Sequence, residues 1–202
     1  MEIFDNLELI LADVSLGNPI IIIDNPNRKN EGDIFVAAEK ISPEKIGFMR
    51  RYATGLICVS MNPKRLEELG LELMVPSSYS DRNRCRFTFS VDYKHGVTSG
   101  ISDYDRTTTI RALIDPKVRL KDFYIPGHVF PLRAEKNGVR EREGHTEASV
   151  DLAKFAGLYP AGVICEVIKE DGTMARVPGL IEFSKRHNIK ICTIEQVKSI
   201  YK

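Results

Sequence analysis

The sequence predicts an α/β protein, α+β-like in part, in which helices flank a mixed β-sheet. Segments with helical and strand periodicity alternate along the whole length, and the strand-like runs outnumber those of a simple doubly wound fold. No repeat, low-complexity tract or linker interrupts the chain. Its 202 residues are therefore expected to form one domain, residues 1–202, that buries a core without disulfides.

The first part of the chain is predicted to be helix, strand, loop and strand. Residues 3 to 16 place their apolar side chains on one helical face, and Gly17 is a typical stop. Residues 20 to 24 are almost all isoleucine, which indicates a buried strand. Residues 25 to 33 are polar and are expected to form a loop, and residues 34 to 38 are expected to form a second strand.

The middle of the chain is punctuated by Pro and Gly. Ser42 followed by Pro43 is typical of a helix start, and Gly55 is the expected end of that helix. The next predicted elements are a strand at 56 to 60, a short helix at 62 to 70, a loop at 75 to 84, a half-exposed strand at 86 to 92 and a helix near 104 to 114.

The final third carries the clearest periodicity. Thr193 and Gln196 have the spacing of a capping box, which indicates the start of a last helix. The elements predicted before it are a loop with Pro126 and Gly127, a strand at 129 to 133, a helix at 146 to 156 ended by Gly157, a strand at 162 to 168, a helix near 179 to 187 and a strand at 189 to 192.

Composition excludes several classes of protein. The chain has 29 Lys and Arg against 28 Asp and Glu, so a nucleic-acid partner is not expected. The longest apolar run, residues 19 to 23, is far shorter than a membrane span, and the N-terminus lacks the pattern of a secretory signal. The four cysteines form no Cys-x-x-Cys pair or zinc spacing. A reduced protein of the cytoplasm, without a membrane partner, is expected.

An acidic loop at residues 24 to 33 is the first candidate site. It holds Asp24, Glu31 and Asp33 together with Arg28 and Lys29, and apolar strands flank it. Such a loop can present carboxylates to a metal ion or a polyol. A solvated hairpin explains the same composition.

A predicted helix start is the second candidate site. Arg142, Gly144, His145 and Thr146 precede an apolar-periodic helix, whose free N–H groups can bind an anion. Arg142 can add bidentate contacts to phosphate. The alternative is that Thr146 only caps the helix and His145 lies on the surface.

Three further positions stand out by residue type. His128 follows Pro-Gly, which suits a positioned acid or base, although a structural histidine fits as well. Glu166 lies in an apolar run, which is a position where functional carboxylates occur. The alternative is that this run is an edge strand and that Glu166 faces water. The hydroxyl-rich segment from Thr98 to residue 109 suits phosphate or sugar binding, or simple capping by Ser102 or Asp103.

Taken together, the motifs resemble the 3,4-dihydroxy-2-butanone 4-phosphate synthase family of riboflavin biosynthesis, in its stand-alone form rather than fused to GTP cyclohydrolase II. The matching motifs occur in family order and span nearly the whole chain. They are Arg-Lys-Asn-Glu-Gly-Asp at 28–33, Thr-Gly-Leu-Ile-Cys at 54–58, Gly-Val-Thr-Ser-Gly-Ile-Ser at 96–102, Asp-Arg-Thr-Thr-Thr at 105–109, Pro-Gly-His at 126–128, Gly-His-Thr-Glu-Ala at 144–148, Ala-Gly-Val-Ile-Cys-Glu at 161–166 and Asp-Gly-Thr-Met-Ala-Arg at 171–176.

The resemblance implies conversion of D-ribulose 5-phosphate to formate and 3,4-dihydroxy-2-butanone 4-phosphate. It further implies a divalent metal, Mg²⁺ or Mn²⁺, and a homodimer with active sites at the subunit interface. The implied catalytic residues are His128, Glu166, Asp33 and Cys58, and the implied metal ligand is His145. The implied substrate and phosphate contacts are Arg28, Glu31, Asp33, Arg142, Gly144, His145, Thr146, Thr98 and Asp105.

Two positions depart from the family pattern. Lys29 stands where the family has a glutamate that binds the metal, and an ammonium group is not a metal ligand. Ile125 stands where an arginine commonly precedes Pro-Gly-His. Either Glu31, Asp33 or Asp24 supplies the missing oxygen, or Lys29 itself replaces one cation's charge. The departures keep two alternatives open, a related reaction on a pentulose phosphate and a non-catalytic phosphate-binding paralogue.

Overall fold

Seven strands form one mixed β-sheet in the computed structural model, which describes residues 4–25, 28, 30–75 and 85–201. The strand order is β4-β5-β3-β6-β2-β1-β7, so β4 and β7 are the edges. The strands are β1 (Ile20–Ile23), β2 (Gly32–Ala37), β3 (Cys58–Met61), β4 (Val91–Tyr93), β5 (Phe123–Arg133), β6 (Ala161–Glu166) and β7 (Lys190–Thr193).

Strand pairing is both parallel and antiparallel. β3 and β5 run parallel, as do β1 and β7, whereas the β1–β2, β2–β6, β3–β6 and β4–β5 pairs are antiparallel. The central strands β1, β2, β3 and β6 are buried along nearly their whole length. A sheet covered on both faces is the arrangement in which such continuous apolar runs occur.

Helices cover both faces of the sheet. One core contains Ile34, Val36 and Val163 with apolar residues of α2, α3, α4 and α6, and the other contains Phe35 and Ile164 with residues of α1, α5 and α7. The helices are α1 (Leu7–Leu16), α2 (Pro43–Phe48), α3 (Pro63–Leu69), α4 (Asp103–Ile114), α5 (His145–Phe155), α6 (Val177–His187) and α7 (Ile194–Ser199). The predicted mixed sheet flanked by helices is confirmed.

The strand predictions were wrong mainly at three places. Gly32 and Asp33 belong to β2 rather than to the preceding loop. The predicted loop at Pro126 and Gly127 lies inside β5, which continues from Phe123 to Arg133. The predicted strand at 86 to 92 is reduced to isolated bridges followed by β4. Residues 76–84 of the predicted loop lie outside the described residues.

Several helix ends differ from those predicted from the sequence. The first helix begins after Asn6, whose side chain accepts the N–H of Glu8. The helix predicted to run to Gly55 changes at Met49 into a π-helical turn. Ser42 precedes its helix without a side-chain capping bond, whereas the capping box of Thr193 is present as predicted. The remaining elements shift by about one or two residues.

Three of the four cysteines are buried. Cys58, Cys165 and Cys192 are buried, Cys85 is partly exposed, and all four are free thiols. In the described part of the chain, no helix has the length and apolar character needed to cross a membrane.

Candidate active site

Two carboxylates lie side by side on one face of the sheet. Asp33 on β2 and Glu166 on β6 are direct partners in the antiparallel register. Asp33 stands two positions before Phe35, and Glu166 two positions after Ile164, so strand alternation turns both towards the α5 side. The edge-strand explanation of Glu166 is wrong, because β6 lies between β3 and β2.

The turn before β3 holds the Glu166 side chain. Its Oε2 accepts a hydrogen bond of 2.9 Å from the backbone N–H of Leu56, and its carbonyl accepts one of 3.2 Å from the N–H of Gly55. A Cβ at position 55 would lie 2.6 Å from Oε2 and 2.5 Å from the carbonyl oxygen. Only glycine permits this approach. The sequence around Gly55 indicates only a helix end, because its partner Glu166 lies far along the chain.

His145 faces the same pair of strands from the start of α5. Its Nε2 lies 3.1 Å from the carbonyl oxygen of Ile22, and its Nδ1 lies 3.9 Å from Oδ2 of Asp33. A carbonyl only accepts, so Nε2 carries the hydrogen and Nδ1 keeps its lone pair. Burial lowers the pKa of His145, although Asp24 opposes this shift, so the imidazole is neutral at neutral pH. The alternative of a surface histidine is wrong, because His145 is 8% exposed.

The acidic loop is closed by Asp24. Its Oδ2 accepts a hydrogen bond of 2.7 Å from Arg28, and its Oδ1 accepts one of 2.8 Å from the N–H of Glu31. Asp24 and Asp33 were both predicted as replacement metal ligands. Asp24 forms an ion pair with Arg28, whereas Asp33 lies beside His145, the predicted metal ligand. Lys29 lies outside the described residues, so its predicted effect on the site stays a prediction.

The start of α5 has the form of an anion site. Gly144 is the N-cap and supplies no side-chain hydrogen bond to the first turn. Thr146 lies inside the helix, where its hydroxyl donates to the Cys85 sulfur at 3.9 Å, so the explanation of Thr146 as the cap is wrong. The N-cap therefore leaves the first N–H groups of α5 without a capping side chain, although the carboxylate of Glu147 in the same turn accepts its own backbone N–H.

A buried partner holds Arg142 at this helix start. Its Nη1 donates to Oε2 of Glu147 at 2.7 Å, and Oε1 of Glu147 accepts the N–H of Glu135 at 3.0 Å. Burial raises the pKa of Glu147, and the charge of Arg142 opposes that rise. Glu147 is 1% exposed, and it is not among the site residues predicted from the sequence.

Cys58 has the environment of a packing residue. It is buried in β3 and packs in the core that α5 covers. Burial raises the pKa of its thiol well above the usual range, and the nearby charges of Glu166 and Asp33 add to the rise. The thiol is therefore protonated at neutral pH, which does not favour a nucleophile.

His128 lies on β5, two strands away from Glu166 on β6. It stands two positions before Phe130, which pairs with Cys58 on β3, and Cys58 pairs in turn with Ile164 on β6. The His128 side chain is 45% exposed, and its Nδ1 lies 2.7 Å from the carboxylate of Asp92 on β4.

Asp105 shapes the loop that carries Thr98. Its carboxylate accepts hydrogen bonds from the N–H and hydroxyl of Thr98 and from the N–H of Gly100, at 3.2, 2.8 and 3.1 Å. Ser102 caps α4 by accepting the N–H of Asp105 at 3.0 Å. Both oxygens of Asp105 are thus engaged within the loop, whereas Thr98 itself is exposed.

The donors present suit a divalent cation. Among the described residues no three His, Cys, Asp or Glu side chains form a metal cluster. His145 nevertheless offers a neutral nitrogen beside the carboxylate of Asp33. Within the described part of the chain, Oδ1 of Asn30 in the acidic loop is buried and has no hydrogen-bond partner. A ring nitrogen and hard oxygens are donor types that such cations accept.

Comparison with known proteins first gives the class of protein. The crystal structure of a 3,4-dihydroxy-2-butanone 4-phosphate synthase in complex with two magnesium ions matches with a TM-score of 0.89 and 38% identity, covering 96% of this chain and 94% of that chain. The synthase of Agrobacterium fabrum is 47% identical over 196 residues, which are 97% of this chain and 92% of that protein. The fold is therefore that of the synthases.

The family follows from the sequence match. A family model described as 3,4-dihydroxy-2-butanone 4-phosphate synthase matches residues 8–200, and the chain belongs to this family, which confirms the resemblance. The riboflavin biosynthesis protein RibBA of Aquifex aeolicus is 55% identical over 193 residues, which are 95% of this chain and 47% of that protein. The chain spans about half the length, or less, of most of the curated relatives it matches.

Proposed function

We propose that the chain converts D-ribulose 5-phosphate to L-3,4-dihydroxy-2-butanone 4-phosphate and formate, a step of riboflavin biosynthesis. Its membership of the synthase family over residues 8–200 is the observation that carries this proposal. The family reaction comprises enolisation, loss of the C1 hydroxyl, a shift of the carbon skeleton and release of C4 as formate. Such chemistry needs a phosphate site, positioned proton carriers and stabilisation of an enediol.

The phosphate is assigned to the start of α5. Arg142, Gly144, His145 and Thr146 are the residues proposed to surround it. The absence of a side-chain cap at Gly144 supports this role, because no capping side chain competes with an incoming anion at the first N–H groups of the helix. Arg142 is held beside them by the buried carboxylate of Glu147.

Proton transfer is assigned to Glu166 and His128. The Leu56 N–H bond fixes the carboxylate of Glu166 on the same face as Asp33. His128 is exposed at the neighbouring strand pair, where an incoming substrate can meet it. Asp33, with Glu31, Arg28 and the exposed Thr98, is proposed to bind the sugar hydroxyls. Asp105 is proposed to support the loop of Thr98, and the protonated Cys58 to pack beneath the site.

A divalent cation, Mg²⁺ or Mn²⁺, is proposed as the cofactor, as in the related synthase solved with magnesium. His145 would hold it, and Asp33 and Asn30 are the oxygen donors offered by the described part of the chain. When bound, the cation supplies Lewis-acid stabilisation of negative charge on adjacent oxygens. Lys29 contributes positive charge where the family has a ligand, so a lowered metal affinity is expected.

The reaction is tested with ribulose 5-phosphate labelled with ¹³C at C4 in D₂O with magnesium. ¹³C NMR should show labelled formate, and ³¹P NMR should show an equal amount of a four-carbon phosphate that carries no label. Deuterium incorporation without formate would contradict the proposal in favour of a partial reaction. Binding without any turnover would contradict it in favour of a non-catalytic paralogue.

A pair of variants tests the residue assignment. Glu166→Gln keeps the shape but removes the proton carrier, so formate release should fall by about 100-fold or more. The matched control is Glu182→Gln, an exposed glutamate on α6, which should leave the rate unchanged. Equal rates for both variants would contradict the role of Glu166.

We also propose a homodimer that covers the β4–β5 edge. Apolar side chains are exposed there, namely Tyr124, Ile125, Ile101 and Tyr104, and the exposed His128 lies on the same strands. A second copy would bury these side chains and enclose the site. Light scattering at micromolar concentration should give about twice the 22.8 kDa chain mass, whereas a monomer would contradict the proposal.

We propose a cytoplasmic location on the evidence of the cysteines. All four are free thiols, and three are buried among apolar side chains. Free thiols of this kind are usual in a reducing compartment.

A further inference from the structure

A buried aspartate holds His128 through two hydrogen bonds. Oδ1 of Asp92 accepts the backbone N–H of His128 at 2.8 Å, and Oδ2 lies 2.7 Å from the ring Nδ1. Both contacts cross from β4 to β5, so one carboxylate fixes the main chain and the ring together. Asp92 is 6% exposed, whereas the His128 side chain is 45% exposed. The buried member of the pair thus orients the accessible one.

The surroundings fix the carboxylate in turn. Gly100 has φ +87°, and a Cβ there would lie 2.1 Å from Oδ2 of Asp92, so the loop closes on the carboxylate only because this residue is glycine. The N–H of Gly127 donates to the hydroxyl of Ser90 at 3.1 Å, which ties the residue before His128 to the same edge. Asp92 therefore has little freedom to turn away from the ring.

We infer that Asp92 is a positioning residue that keeps His128 protonated on Nδ1 and leaves Nε2 as the proton-transferring nitrogen. A carboxylate only accepts hydrogen bonds, so Nδ1 must donate, and the lone pair of the neutral ring then lies on Nε2. Nε2 points away from the bond to Asp92, on a side chain that is open to substrate. A buried aspartate that orients a catalytic imidazole in this way sets its tautomer. The inference rests on the proposed proton-transfer role of His128.

The test reads the tautomer directly. ¹⁵N-histidine-labelled protein is examined by long-range ¹H–¹⁵N NMR above the titration of its histidines, and the His128 signals are assigned by their loss in His128→Gln. Wild-type His128 should show a protonated Nδ1 and a bare Nε2. Asp92→Asn should shift the hydrogen towards Nε2. A wild-type His128 protonated on Nε2 would overturn the inference, even if the Asp92 variants do not fold.

Kinetics supply the second readout. Asp92→Asn should lower kcat for formate release by about 100-fold while KM changes by less than about threefold, since binding groups are untouched. Asp92→Glu should recover part of the lost kcat, because its carboxylate can again accept a hydrogen bond from Nδ1 of His128. Asp115→Asn, an exposed aspartate that follows α4, is the control and should leave kcat unchanged. A tautomer that moves without a fall in kcat would overturn the positioning role.

The two proposals fail in different ways. Absence of formate from the wild type would reject the proposed function, and the NMR comparison would still decide whether Asp92 sets the tautomer. Formate from the wild type with an unchanged tautomer and full kcat in Asp92→Asn would reject only the inference about Asp92.

Discussion

The side-chain oxygen of Glu166 accepts a hydrogen bond of 2.9 Å from the backbone N–H of Leu56, a residue 110 positions earlier in the sequence. This bond joins the end of β6 to the turn before β3. It places a carboxylate next to Asp33, its register partner on β2. The carboxylate pair is therefore an effect of sheet topology and depends on a turn that comes within 3 Å of the Glu166 side chain.

Gly55→Ala should displace Glu166 and reduce activity. The added Cβ would meet Oε2 at 2.6 Å and the carbonyl oxygen at 2.5 Å, and the carbonyl belongs to a central strand that has little room to move. Formate release is expected to fall by about 10-fold or more, since small displacements at a reacting group are costly. Gly179→Ala is the control, because its nearest neighbour would be at 3.9 Å. Unchanged activity in Gly55→Ala would contradict the account of the turn.

Arg142→Lys should lower the affinity for phosphate more than it lowers the stability of the folded protein. The ammonium still neutralises the buried Glu147, but the planar fork that can bind phosphate bidentately is lost. A loss of about 1.5–3 kcal/mol in the charged hydrogen bond corresponds to a rise in KM of roughly 10- to 100-fold. Calorimetry with inorganic phosphate provides an independent measurement.

The control for Arg142 is a neighbouring arginine with another role. Arg140 stacks over the ring of Tyr201 at 4.5 Å, so Arg140→Lys should leave phosphate affinity unchanged. Equal affinities in both variants would exclude Arg142 from the phosphate site.

Asp105→Asn should destabilise the protein at neutral pH. Burial alone would raise the pKa of Asp105, but the hydrogen bonds from Thr98 and Gly100 outweigh burial and lower it. The carboxylate therefore adds stability above its unfolded pKa, and this stability is lost as pH falls through the lower folded pKa. Urea unfolding at pH 7 should show a loss of about 1–3 kcal/mol.

The difference between wild type and Asp105→Asn should shrink in acid. It should become smaller as the pH drops below about 4, because the unfolded wild type then binds a proton at Asp105 that the folded wild type, with its lower pKa, does not yet bind. A difference that stays constant from pH 7 to pH 3 would contradict the role of the charged carboxylate in ordering the Thr98 loop.

Alkylation should separate the thiols by burial. The raised pKa of Cys58 means that its thiolate is scarce at pH 8, and the sulfur is also shielded by the core. Iodoacetamide should therefore modify the partly exposed Cys85 first and leave Cys58 intact in the folded protein, as measured by peptide mass spectrometry. Rapid labelling of Cys58 would instead indicate an activated nucleophile.

Sequence patterns were sufficient to predict an element where a local signal, such as an apolar run or a capping box, determines it. The isoleucines of β1 and the capping box of Thr193 are local signals, and both elements form as predicted. Residue type alone marked His145, Asp33 and Glu166 as candidates, but only the family motifs implied that they share one site, because no local rule brings β1, β2, β6 and α5 together. The register supplies that proximity.

The missed residues share one physical cause. Gly55, Asp92 and Glu147 matter through partners on other strands or behind a helix start, so their own neighbours in sequence carry no signal. Pro126 and Gly127 suggested a loop, but β5 accommodates them where its pairing with β4 is interrupted between Tyr124 and Val129. Proline is tolerated at such bulges.

Formate release from ribulose 5-phosphate by the wild-type chain is the most direct test of the proposed function. It is measured with magnesium, with manganese and with a chelator, beside Lys29→Glu and the exposed control Lys117→Glu. The wild type should release formate only with a divalent metal, and Lys29→Glu should lower the metal concentration needed for half-maximal rate. No formate from the wild type under any metal, with formate from Lys29→Glu, would contradict the account and mean that Lys29 has ended or redirected the synthase reaction.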